Sequence, residues 1–155
     1  MTRYSVQFGA GASGEYSADQ VDHMRAAGLL DGLTVAPVVL VADLLAYAAE
    51  RRWRAEVGGV VVGSLHMQTD AASQSKLAQA IQSIDLGVIP EPLPWKTARG
   101  FAVLSRADLL DAAKATAALV QAAFATEAAV AASIVAGEIT THAEVDMAPW
   151  PSAAG

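Results

Sequence analysis

The side chains that could do chemistry in this sequence are three histidines and a scatter of hydroxyl and carboxyl groups. His23, His66 and His142 lie in three separate segments, and no two stand at the spacing of metal ligands. His66 and Asp70 are four apart, but they straddle the end of an extended run, so a shared helical ligand face is not implied. A Gly-x-Ser-x-Gly elbow, a two-histidine zinc motif and a phosphate loop are all missing. Gly58-Gly59 lacks the third glycine, the lysine and the following helix that a phosphate cradle requires. The expectation is therefore no catalytic residue, no cofactor and no metal, in a protein that is not an enzyme.

Charge and composition narrow the partners. The net charge of −6 opposes binding to a polyanion, and Arg51-Arg52-Trp53-Arg54 is the largest basic cluster. Nucleic acid is not an expected partner. That cluster reads first as a properly charged helix terminus, with anion binding as the alternative. There is no cysteine, so disulfides and thiol chemistry are excluded. Met1 to Ala10 holds no apolar run of the length a secretory signal needs, which points away from export by that route. Val35 to Ala49 is too short for a membrane span, and Ala112 to Ala136 is alanine interspersed with polar residues, so no span is expected.

The elements that must position these residues can be read from spacing. Tyr4 to Phe8 alternates polar and apolar side chains before a glycine-rich run from Gly9 to Gly14, giving a short strand or arm and a flexible loop. Ser17 and Gln20 start a short helix that stops at Gly28. Residues 1–36 read as an arm with little core of its own. Pro37 suits a helix first turn, and the spacing of Val38, Val41, Leu45 and Ala48 predicts a helix to about Arg54. Val57 to Val62, Gly63-Ser64 and Leu65 to Met67 read as strand, turn, strand. Thr69 or Asp70 caps a helix through about Asp85, with Leu77, Ile81 and Ile84 buried, Ser73 and Gln74 in its first turn and Gly87 as its stop.

Prolines 90, 92 and 94 make an extended connector into Trp95-Lys96-Thr97. Ala98-Arg99-Gly100 turns the chain onto Phe101 to Leu104 as a second hairpin. Ser105 with Asp108 opens the longest helix. Its expected seam is Leu109, Ala113, Ala117, Val120, Phe124, Ala128, Ala131 and Ile134 or Val135, either packed on the domain's own core or forming an oligomer seam. A tail from 137 to 155 carries a short helix around Thr140 to Met147 and Trp150 as a clip. The fold class is α+β: small antiparallel hairpins packed with three helices, including one long Ala-rich C-terminal helix, over 37–136 between the arm and the tail. Trp53, Trp95, Phe101, Phe124 and Trp150 are the expected structural anchors.

In order, Arg52-Trp53-Arg54, Gly58-Gly59-Val60, Thr69-Asp70-x-x-Ser73-Gln74, Trp95-Lys96-Thr97-x-x-Gly100-Phe101 and Val120-Gln121-Ala122-x-Phe124-x-x-Glu127 form a set of small motifs. Over roughly Ala46 to Ile134 that set resembles an uncharacterised domain of tail and tail-fibre-region proteins of tailed bacteriophages and prophages. The resemblance implies a structural part of the virion tail (distal tail, baseplate or fibre attachment), made in the host cytoplasm. It implies no activity. Expected partners are other phage tail proteins and further copies of the chain, with Tyr4, Val6 and Phe8 of the arm as the assembly interface. The alternatives are a tail-fibre assembly chaperone absent from the mature particle and a host-surface binding accessory protein.

Overall fold

In a computed structural model, which describes residues 3–8, 12–97 and 99–152, the chain is α+β, with five helices and three small antiparallel sheets among the described residues. It divides into two compact units, Met1–Leu44 and Leu45–Gly155, with the division falling in the first turn of a helix.

The first unit is a small fold in its own right. Strand β1 (Arg3–Gln7) pairs antiparallel with β2 (Ser13–Ser17) on one side and with β3 (Thr34–Val38) on the other. Helix α1 (Ala18–Ala26) follows β2 directly. Its start is the one the spacing predicts: the Ser17 hydroxyl accepts from the Gln20 amide while the Gln20 side chain accepts from the Ser17 amide. Val6, Val21 and Leu30 are buried together, with Tyr4, Phe8 and Tyr16 packed against them.

Three expectations are corrected here. The arm has a core of its own. The glycine-rich run ends in a strand, because Ser13 and Gly14 pair with Gln7 and Val6, while residues 9–11 of the expected loop lie outside the described residues. Pro37 belongs to β3, opposite Tyr4, and not to a helix. In the order β2-β1-β3 this strand is an edge, where a residue without an amide hydrogen is tolerated.

Helix α2 (Val41–Glu56) begins instead after Leu40, whose carbonyl accepts from Asp43 and Leu44. The second unit then builds β4 (Val60–Val62) and β5 (Leu65–Met67) as a hairpin, with Gly63 at φ +60° in its two-residue turn. Helix α3 (Ala71–Asp85) follows, then the hairpin of β6 (Leu93–Thr97) and β7 (Gly100–Leu104); Ala98 of its expected turn lies outside the described residues. Helix α4 (Arg106–Val135) is opened by the reciprocal Ser105 and Asp108 capping bonds, and α5 (His142–Asp146) by those of Thr141 and Glu144. The core joins Met67 of β5, Leu77 and Ala80 of α3, Leu104 of β7, and Leu109 and Ala112 of α4. Trp95 packs against it from the inner face of β6.

The buried stripe of α4 is Leu109, Ala112, Thr116, Leu119, Ala123, Val130 and Ile134. It differs from the expected seam. Stepping by four from Leu109 to Ala113 and Ala117 drifts off a helix of 3.6 residues per turn, whereas steps of three and four stay on one face. Phe124, expected on the seam, is 46% exposed. By length and composition α4 is also apolar enough to cross a membrane, although its buried stripe packs on α3 and β4.

Candidate functional site

The motif residues of the second unit converge on its joints. Thr69, fully buried between β5 and α3, donates its hydroxyl to the Glu56 carbonyl at 2.6 Å and accepts the Gly59 amide at 2.9 Å. One side chain therefore ties the end of α2 to the approach to β4. Gly59 has φ +88°, and a Cβ there would stand 3.0 Å from the Met67 carbonyl oxygen, so the turn requires glycine. Gln74 donates to the Thr69 carbonyl at 2.7 Å. Asp70 accepts the Ser73 hydroxyl at 2.6 Å and its amide at 3.0 Å, which holds the carboxyl below the usual carboxylate range. In the second hairpin the Thr97 hydroxyl donates to the Gly100 carbonyl at 2.9 Å.

The arginines of α2 form the second joint. Arg52 pairs with Glu56 on its own helix and, at 2.8 Å, with Glu127 of α4, and its guanidinium lies 4.5 Å from the Phe124 ring centroid. Arg51 approaches Asp146 of α5 at 2.6 Å and stacks at 6.0 Å over Trp150. The Arg52–Glu127 and Arg51–Asp146 contacts are charge contacts through Nε, without the alignment of a hydrogen bond. Tyr47 donates its hydroxyl to the same Asp146 carboxylate, which raises the phenol above its ordinary range. Trp150 donates from its ring nitrogen to the Val145 carbonyl at 2.8 Å. The basic end of α2 thus fastens α4 and α5; Tyr47, Asp146 and the Arg52–Glu127 pair were missed from sequence, where nothing links positions so far apart.

The expected anchors separate into two groups. Trp95 and Trp150 are half-buried and bonded or packed as anchors should be. Trp53 and Phe101 are not anchors. They are 54% and 79% exposed, because Trp53 falls on the outer face of α2 and Phe101 on the solvent side of a two-stranded sheet whose inner face carries Trp95 and Leu104. Phe124 acts as a partly exposed platform for Arg52. In the first unit, Val6 is fully buried and Tyr4 and Phe8 are half-buried against the core of that unit.

Among the described residues no three His, Cys, Asp or Glu side chains come together as a metal cluster. Two of the concavities among the described residues flank α3. A groove of about 420 Å³ between α3 and α4 is lined by Leu77, Ile81, Ala113 and Ala117, with Thr116 on its floor; the buried Thr116 hydroxyl has no partner among the described residues. A cleft of about 300 Å³ lies between α3, the end of β5 and β6, lined by Met67, Leu77, Trp95, Gln68, Lys76 and Lys96. Gln68 and Lys76 were not singled out from sequence, since a polar residue after a strand and a lysine on a helix carry no signal alone.

These contacts define a small α+β domain whose motif residues hold its helices and hairpins together. The chain belongs to the family described as Domain of unknown function (DUF4376), which matches residues 40–149 and so takes in α2 through α5. No curated protein and no solved structure matches the chain.

Proposed function

We propose that this protein is a structural component of a bacteriophage tail, at the distal tail, baseplate or fibre attachment, and that it acts through protein–protein assembly in several copies. The placement in a tail rests on the resemblance of the ordered motifs. The assembly reading is carried by α4. Between Lys114 and Val135 its one charged residue is Glu127, whose carboxylate pairs with Arg52. The outward positions Ala118, Ala122, Ala125, Ala129 and Ala132, which share one side of the helix, form an uncharged face roughly 20 Å long. Small side chains allow another helix to approach closely, and an exposed apolar face of this extent favours association.

Because the chain has no cysteine, Ala125→Cys introduces a single thiol. Oxidation is expected to yield a disulfide-linked dimer, and light scattering should find the unmodified protein oligomeric and Ala125→Glu shifted toward monomer. A monomer in every case would defeat the assembly reading. Mass spectrometry of purified particles tests the tail placement: peptides at multi-copy abundance support a resident component. Their absence would favour an assembly chaperone. The exposed Phe101 and Val103 on one face of the second hairpin lend some support to host-surface binding as a further reading.

A further inference from the structure

We infer that the cleft between α3 and β6 is a binding site for an acidic side chain flanked by an apolar one, presented by a segment of a partner protein. The chain has ten lysines and arginines, of which seven (Arg3, Arg25, Arg51, Arg52, Arg54, Arg106 and Lys114) pair with carboxylates. Among the described residues that leaves Lys76, Lys96 and Arg99 without such a partner. The first two come from different elements and border this one cleft, Lys96 from the strand face it shares with Phe101, and no acidic side chain lines its walls. In a chain of net charge −6, two uncommitted cations at the rim of an apolar cleft that holds Met67, Leu77 and Trp95 make a local surface complementary to a carboxylate on an apolar body.

The neutral polar groups decide between a protein segment and a saccharide acid. Ser73 and Gln68 line the cleft, but the Ser73 hydroxyl already donates to Asp70 at 2.6 Å. One free amide, that of Gln68, cannot satisfy a ring bearing hydroxyls on every side, and each unsatisfied hydroxyl would oppose binding. An acidic residue beside a leucine or phenylalanine needs only the lysines and the apolar cleft. A volume of about 300 Å³ is at the lower end for a ligand pocket and suits a few side chains. The inference stands apart from the tail reading.

The test is an amide-detected NMR titration of the full chain with N-acetyl-Leu-Glu-Leu-amide, its Leu-Gln-Leu counterpart, glucuronic acid and inorganic phosphate. The glutamate peptide is expected to give saturating shifts at the Trp95 indole and the Gln68 side-chain amide, and the glutamine peptide is not. Lys76→Gln and Lys96→Gln are each expected to weaken binding about two- to fivefold, with unchanged spectra elsewhere reporting an intact fold. Several outcomes would overturn the proposal: no saturable shift with the glutamate peptide, equal binding of both peptides, or equal binding by the doubly substituted protein. Tighter binding of glucuronic acid would assign the cleft to a saccharide, and equal binding of phosphate would make it a general anion site; either also overturns the proposal.

Discussion

The hydroxyl of Thr69 donates to the backbone carbonyl of Glu56 across 2.6 Å in a fully buried position, and the same oxygen receives the Gly59 amide. Among the described residues no other side chain bonds either backbone group. Thr69→Val keeps the shape but leaves both backbone groups unpaired, which should destabilise the protein by about 2–3 kcal/mol. Thr69→Ser keeps the bonds and removes one methyl, for a loss of about 1 kcal/mol. Urea denaturation of the two variants measures the difference. Equal losses would mean that packing, and not the latch, is what Thr69 supplies.

Two glycines of the same hairpin should respond unequally. Gly59 has φ +88° and a backbone oxygen 3.0 Å from where a Cβ would stand, whereas Gly63 has φ +60° with nothing within 4 Å. Gly63→Ala meets only the left-handed backbone penalty, about 1 kcal/mol. Gly59→Ala meets strain and a clash with the Met67 carbonyl, about 2–3 kcal/mol. Thermal melts of the two variants rank them. The reverse order would remove the close approach as the reason for glycine at position 59.

What could be read from the sequence was local. The hydroxyl and carboxyl residues at Ser17, Asp70, Ser105 and Thr141 start helices where the spacing places them, because a cap bonds to a residue three positions away. The Gly63-Ser64 turn and the second hairpin followed from equally short-range signals. The three-stranded sheet of the first unit was not legible, since β1 reaches β3 across some thirty residues and Pro37 carries a stronger helix-start signal than strand signal. Within the candidate cleft only Trp95 and Leu77 could be placed, as core residues. The lysines acquire meaning only when the fold brings α3 and β6 together.

The stripe of α4 illustrates the same limit and yields a test. With alanine at so many positions, a seam through Ala113, Ala117 and Phe124 satisfies the pattern nearly as well as the observed one through Ala112, Thr116 and Ala123. Packing decides between them: Ala123 is fully buried and Ala125 is exposed. Ala123→Leu should overpack the interior and destabilise by about 1–3 kcal/mol. Ala125→Leu should change folding stability by no more than about 0.5 kcal/mol in either direction. Equilibrium unfolding at a concentration where the protein is monomeric separates the two. A costly Ala125→Leu beside a harmless Ala123→Leu would restore the other seam.

Acid should loosen the helix starts together. Hydrogen bonds from the Ser73 hydroxyl and amide hold Asp70 below its ordinary value of 3.8, Ser105 does the same to Asp108, and Thr140 and Thr141 depress Glu144 from 4.5. A carboxyl whose folded pKa lies below its unfolded one contributes stability that is complete above the unfolded value and is lost as pH falls through the folded value. Between the two the unfolded chain binds more protons, so stability must decline on acidification below about pH 5. Asp70→Asn retains an acceptor at the start of α3 but cannot titrate. Urea midpoints from neutral pH to pH 3 should therefore show the parent protein more stable at neutrality, with the two curves converging as the medium becomes acidic. A gap that stays constant across the range would show that the ionised Asp70 carboxylate is not the source of the cap's strength.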